Sequence, residues 1–170
     1  MRFVGIDLST KTGLVILDKS GQVAHEEEIT SNKTDPLRMI EIVSKVTKHL
    51  NKEDVIAIEG FSYGSRGRGI SFQFGLGHAL RIALYRQGYD YLIVTPGQVK
   101  KYATGKGNSS KDNMILPIYK KWGFEHDSDN VRDAYVLAKI AFDLKTDKEI
   151  ELKKYESEIL RDLQKNEVIK

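Results

Sequence analysis

Apolar residues gather at the start of the chain in two short runs, Phe3-Val4-Gly5-Ile6 and Leu14-Val15-Ile16-Leu17. Bulky, strand-favouring residues without polar interruption mark strands covered on both faces. The first run spans Arg2 to Ser9 and ends in Thr10-Lys11-Thr12-Gly13. Asp18-Lys19-Ser20-Gly21 closes the second as a hairpin turn, and Gln22 to Ile29 alternates enough to pair back as a third, edge-like strand. Glu26, Glu27 and Glu28 read there as a solvated edge that resists aggregation. Three consecutive antiparallel strands are expected.

A change of period follows. Asp35-Pro36 predicts a helix start, with Asp35 as N-cap and Pro36 at the first helical position. Leu37, Ile40, Val43, Val46 and Leu50 keep helical spacing and should face the sheet. Asn51 to Asp54 breaks that helix, and Val55-Ile56-Ala57-Ile58 then runs into Glu59-Gly60. A helix followed by such a run is an αβ unit, so this strand belongs in the sheet interior. Lying parallel beside the first strand, it would set Glu59 level with Asp7. Ser71 to Gln87 predicts a helix buried along Phe72, Leu76, Leu80, Ala83 and Leu84, with Gly75 and Gly77 admitting a close neighbour. Tyr89 to Thr95 gives another strand, stopped by Pro96-Gly97.

Met114 to Trp122 is helical, with Pro117 expected to bend it or delay its start. Val131 to Leu144 is a strongly apolar helix preceded by the cap-rich Asp127-Ser128-Asp129. From Thr146 the chain is highly charged, yet Ile150, Leu152, Tyr155, Ile159, Leu160 and Leu163 keep helical spacing. The expected organisation is one domain over residues 1–145 and an appended amphipathic helix over 146–170. That helix would dock on the domain or on a partner chain.

Composition narrows the function classes. With 170 residues, 40% hydrophobic and 30% charged, the chain is an ordinary globular domain with a real core. It has no cysteine, which excludes disulfides, zinc–thiolate sites and thiol catalysis, and fits a cytoplasmic protein. No apolar run approaches the roughly 20 residues of a membrane helix, and Met-Arg leading directly into a strand is not a signal peptide. A net charge of +3 decides little, but its distribution does. Lys100, Lys101, Lys106, Lys111, Lys120 and Lys121 face only Asp112 in that stretch. Among them lies Thr104 to Ser110, a loop expected to move when no ligand is bound. Its glycine spacing is not that of a Walker P-loop.

The chemistry starts from Asp7. A carboxylate among strand-forming apolar residues loses water, at a cost that a cation or donor must offset. An isolated Asp there could simply cap a turn. Glu59 ends a second apolar strand, however, and Asp129 and Asp133 share one face at the start of the apolar helix. Asp129 could serve as a cap, whereas Asp133 falls where that helix should be buried. Acids delivered from three dispersed elements to one point are how a divalent-metal centre is assembled. Lysines beside such a cluster suit an approaching polyanion. Phe61 to Gly69 adds Phe61, Tyr63, Arg66 and Arg68, the residue types that stack on unpaired bases and grip phosphates; the plainer reading is a Gly-rich surface connection. His126 reads as a loop residue.

Gly5-Ile6-Asp7-Leu8-Ser9, Ile58-Glu59-Gly60, Thr95-Pro96-Gly97-Gln98-Val99-Lys100-Lys101, Gly105-Lys106-Gly107 and Asp129-Asn130-Val131-Arg132-Asp133-Ala134 occur in the order seen in RuvC-type Holliday junction resolvases. The chain resembles the small bacteriophage versions over about residues 2–142. The resemblance implies an α/β, RNase H-like fold with a mixed five-stranded sheet, three antiparallel strands then two parallel. It also implies a homodimer, and cleavage of branched DNA with two Mg²⁺ or Mn²⁺ ions per site. The substrates would be four-way junctions, with Y-forks and flaps as further branched forms. Asp7, Glu59 and Asp133 match the family's metal-binding acids. Lys100 and Lys111 match lysines near the scissile phosphate, and Phe61 or Tyr63 falls where some members set an aromatic against the junction centre. Many members carry Asp or His three residues before the last acid, a position held here by Asn130. Asp129 is the expected substitute. Lys101 and Lys106 would add phosphate contacts. An RNase H acting on RNA–DNA hybrids and a non-catalytic junction binder are the alternatives. An actin-like ATPase or sugar kinase would need two such domains.

Overall fold

In the computed structural model, which describes residues 1–61, 69–146 and 152–165, five strands and six helices alternate. They run β1 (Phe3–Asp7), β2 (Thr12–Leu17), β3 (Val23–Ile29), α1 (Leu37–Lys48), β4 (Val55–Glu59), α2 (Ile70–Arg86), β5 (Tyr91–Val94), α3 (Pro96–Thr104), α4 (Asp112–Trp122), α5 (Asp129–Lys145) and α6 (Lys154–Lys165). The strands form one sheet in the order β3-β2-β1-β4-β5. β1, β2 and β3 pair antiparallel, while β4 lies parallel to both β1 and β5. This is the mixed sheet that the sequence predicts. The first hairpin closes as expected, with Asp18 Oδ1 accepting from the backbone of Ser20 (2.8 Å) and Gln22 (3.0 Å).

Alternation along β1 divides the interior in two. Val4 and Ile6 join Leu14, Ile16, Ile42, Val46, Leu76 and Leu80 under α1 and α2. Phe3 joins Val15, Leu17 and Ala57 under α5, with α3, α4 and α6 completing that layer. Asp7 shares the parity of Phe3 and Gly5, so it points towards α5. That helix lies very close to the sheet. A Cβ on Gly5 would stand 1.9 Å from the Ala134 carbonyl oxygen, and one on Gly13 2.0 Å from that of Asn130. Real Cβ contacts are never that short, so only glycine admits α5 at this height.

Several local expectations change. Pro36, not Asp35, precedes the first residue of α1, and no side chain caps it. Asp35 instead accepts two hydrogen bonds from the Arg38 guanidinium (2.9 and 2.8 Å). The buried stripe of α1 is Ile42, Val46 and the following Leu50, while Leu37 and Ile40 are 59% and 60% exposed. Packing against α2 turns the helix away from the face that spacing alone picks out. Pro96-Gly97 does not merely stop β5. It opens α3, where Thr95 and Gln98 form a reciprocal capping box with Pro96 in the first turn. Pro117 lies inside α4 rather than at its start.

Gly75 and Gly77 do admit close neighbours, Met39 Cε at 2.9 Å and Phe61 Cε1 at 2.4 Å from the Cβ positions they lack. Beyond Thr146, α6 buries Ile159, Leu160 and Leu163 against the α3–α5 layer; Ile150 lies outside the described residues. Ion pairs from Lys121 to buried Glu156 (2.7 Å) and from Lys101 to Glu158 (3.3 Å) fasten α6. Among the described residues no helix is long and apolar enough to cross a membrane.

Candidate active site

Parallel pairing runs from Phe3↔Val55 to Ile6↔Ile58, so the next residues, Asp7 and Glu59, end their strands side by side. Asp133 comes down from α5 above Asp7. Its height is fixed by the glycine contacts, and its direction by the start of the helix. Ser128 is the N-cap, its Oγ accepting from Val131 N (3.4 Å). Ser128 Oγ also donates to the Glu28 carboxylate on β3. Arg132 Nη1 donates to the carbonyls of His126 (2.6 Å) and Asp127 (3.1 Å). His126 Nδ1 accepts from Ser128 N (2.9 Å), which makes it a residue of this cap. Glu28 is therefore more than a solvated edge residue.

With Ser128 as cap, Asp129 is the first residue of α5 and its side chain is free to reach Lys111. Lys111 Nζ also stands 3.8 Å from Asp133 Oδ2. Asn130 is buried against Gly13, where its carbonyl oxygen occupies the space a Cβ would need. Lys100, on the capped helix α3, favours ionised Glu59 together with Lys111.

Crowded acids in a dry place hold their protons. Asp7 is 5% exposed. Burial, then the Glu59 charge and the hydrogen bond shared with Glu59, push its carboxyl well above the usual range. Burial also lifts Glu59 to about 7, with Asp133 adding to the shift, although the shared hydrogen bond with Asp7 and both lysines oppose it. Asp133 likewise rises to about 7, chiefly through burial and then through Asp7. Asp129, more exposed, is instead lowered by its hydrogen bond from Lys111. Burial opposes the Lys111 charge, yet Asp129, Asp133 and Asp7 together raise its pKa. The cluster therefore lacks positive charge, and Lys111 supplies part of it. Three buried acids with raised pKa values and a fourth kept ionised by Lys111 are an oxygen-donor set that suits hard divalent cations.

The remaining expected residues are dispersed. Lys101 turns to Glu158 on α6. Lys106 is exposed on a loop that is laced to α3, with Thr104 Oγ1 bonded to Ser109 Oγ (2.8 Å) and to the Lys106 carbonyl (3.1 Å). Phe61 stacks on Phe74 with centroids 4.5 Å apart, and the Arg81 guanidinium lies 4.0 Å from its ring centroid. It lines a cleft of about 90 Å³ beside Glu59, together with Leu8, Gln73 and Phe74. Tyr63, Arg66 and Arg68 lie outside the described residues.

Comparison by sequence finds no matching family model and no matching curated protein. Comparison of structures finds Thermus thermophilus RuvC at a TM-score of 0.66 and 21% identity, covering 84% of this chain and 94% of that one. A structure of T. thermophilus RuvC in complex with a Holliday junction substrate matches at a TM-score of 0.61 and 18% identity, over 81% of this chain and 90% of that one. With that agreement over most of both chains, and with the sheet order β3-β2-β1-β4-β5, this protein has the RNase H-like fold of RuvC.

Proposed function

We propose that the chain is a structure-selective endonuclease that cleaves Holliday junctions and other branched DNA by metal-dependent phosphodiester hydrolysis. One observation carries the reading. Asp7, Glu59 and Asp133 converge from the ends of β1 and β4 and the first turns of α5, near enough for burial and one another's charge to raise the pKa of all three. Burial and the charges of neighbouring acids both oppose ionisation here, with the hydrogen bond between Asp7 and Glu59 as partial relief. The fold supports the substrate class, since a protein with this fold has been seen holding a Holliday junction.

Asp7, Glu59 and Asp133, with Asp129 as fourth acid, would hold two Mg²⁺ or Mn²⁺ ions. Such ions, when bound, activate a water for attack and stabilise the leaving 3′ oxygen. Lys111 then changes partners, from carboxylates to the phosphate whose charge grows in the transition state. Lys100, held by the α3 cap, faces the same end of the sheet and offsets that charge beside Glu59. Lys106 adds a phosphate contact at the exposed loop, and Lys101 a more distant one from its place beside α6. Phe61 walls the cleft near Glu59, where a base unstacked at a branch would lie; Tyr63, Arg66 and Arg68 would extend that grip. Two copies related by a two-fold axis would cut two strands of a junction symmetrically. The place of action is the cytoplasm of a bacterium or of a phage-infected cell. Residues 1–145 form the nuclease domain, and α6 is an appended brace.

The test compares Asp7→Asn with the unaltered chain on a four-way junction, a Y-fork, a duplex and an RNA–DNA hybrid, each with Mg²⁺, Mn²⁺ or chelator. The variant should keep junction binding and lose cutting by at least about 100-fold, as when a transition-state contact of roughly 3 kcal/mol is removed. Near-normal cutting by Asp7→Asn would overturn the metal reading. Cutting of the hybrid alone would make the protein an RNase H, and junction binding without cutting by the unaltered chain would make it a binder.

A further inference from the structure

A second group of metal-ligating side chains lies on the α1–α2 face, away from the acids. Alternation along β3 sends His25, Glu27 and Ile29 to that face, and Glu26 and Glu28 to the α5 face. Register agrees: His25 pairs with Ile16, a residue of the α1–α2 core, and Ile29 is buried in the same core. The residue that ends α1, His49, stands over this strand. His25 Nε2 lies 3.3 Å and His49 Nε2 3.4 Å from the same oxygen, Glu27 Oε2. The two imidazoles stack with centroids 4.5 Å apart and planes 23° apart. All three ligand atoms fall within 4.8 Å of one another, and among the described residues no other trio of His, Asp or Glu does so.

We infer that His25, Glu27 and His49 form a binding site for a divalent transition ion of the zinc class, separate from the active site. Geometry supports it first. Ligands about 2.0–2.1 Å from a tetrahedral centre stand roughly 3.3–3.5 Å apart. The two N···O separations already have that value, so only the gap between the imidazoles must narrow. Both rings are about one third exposed, at 36% and 34%, and are free to make that adjustment. Ligand type supports it next. Two imidazoles and one carboxylate suit Zn²⁺, Cu²⁺ or Ni²⁺, whereas Mg²⁺ prefers all-oxygen sites.

The backbone supports it as well. Arg2 Nη2 donates to the His49 carbonyl (2.7 Å) while its guanidinium is paired with Asp54 (2.7 Å), so the end of α1 is anchored before any ion arrives. Three protein ligands at a half-exposed site leave the fourth position to water. An ion there would clip the outermost strand to the end of α1.

The site is independent of the nuclease reading, and its test reads no activity. The chain has four histidines, and His78 and His126 serve as internal controls. We would titrate the ¹⁵N-labelled full chain with Zn²⁺ and follow the imidazole nitrogens. One equivalent should move the Nε2 signals of His25 and His49 to ligated positions and leave His78 and His126 unchanged, and excess Mg²⁺ should not reverse this. Unmoved His25 and His49 signals, or all four histidines drifting together only at large excess, would overturn the site. Glu27→Gln and His49→Gln should each weaken zinc binding by at least about 10-fold, the lower bound of what even an outer-shell change costs. Unaltered affinity in both variants would place the zinc on other residues and reject the assignment.

Discussion

On one face of the sheet α5 sits so low that Gly5 and Gly13 leave no room for a methyl group; on the other, α1 and α2 meet flexible tips such as Met39 Cε. The first layer buries α5 along nearly its whole described length, Asp133 included. The second leaves Leu37, Ile40, Ile82 and Tyr85 in solvent. The difference follows from what each layer carries. A carboxylate that must meet two others from neighbouring strands needs a helix without play along or above the sheet. A layer that carries none of the acids, and meets its neighbours through flexible side-chain tips, can adapt.

Two glycines put that contrast to its hardest test. Gly5→Ala drives a methyl into the Ala134 backbone, which cannot move without lifting α5, and should cost about 3 kcal/mol or more in urea unfolding. Gly75→Ala on α2 meets only the end of Met39, and the helix-propensity gain of up to about 1 kcal/mol offsets the shift. Equal losses from the two would show that the faces are equally tight.

The next effect is electrostatic. Glu59 and Asp133 titrate in the folded chain at about 7, above their ordinary values, so the native state binds more protons than the unfolded one between about pH 4 and 7. Stability of the metal-free chain should therefore fall as pH rises through that window and level off above it. Asp7→Asn should flatten the fall and stabilise the metal-free chain at pH 8, by on the order of 1–3 kcal/mol. Thermal melts in chelator across pH 4–9 give the answer, and a rise in stability towards pH 7 would contradict the repulsion. The variant expected to lose cutting is thus also expected to melt later.

The smallest effect on folding comes from the looser layer. Ile40→Asp with Ile82→Asp should change monomer stability by no more than about 0.5 kcal/mol per site, because both side chains are already in water. If the proposed homodimer uses this layer, sedimentation should show the variant shifted to monomer. An unchanged dimer would move the contact elsewhere, with the exposed Leu116 and Tyr119 of α4 next in line.

Legibility in the sequence followed the reach of each interaction. Strands β1, β2, β4 and β5 show as apolar runs because their burial is a property of consecutive residues. The acids show because a carboxylate inside such a run contradicts its surroundings. Val43, Val46 and Leu50 lie on the expected face of α1, whereas Leu37 and Ile40 fit helical spacing as well as Ile42 does, and only the position of α2 decides between them. α3 was missed because Pro96-Gly97 looks like a stop when the Thr95–Gln98 box is not weighed with it. The partners of Glu27 and Glu28, His49 and Ser128, lie far along the chain, where no local pattern joins them. Phe61 looked free for stacking, but the missing side chain of Gly77 gives it a berth on α2.

Lys111 stands at the boundary of α4, at the end of the segment that begins after α3. Its ammonium rests among the same carboxylates that an arriving cation would claim. The chain thus carries its own placeholder, and on the metal reading proposed above, loading the site would be an exchange rather than a filling. The displaced ammonium would then be available to an approaching phosphate. Without such a cation, the charge of a single side chain stands among the acids, tethered to the start of α4.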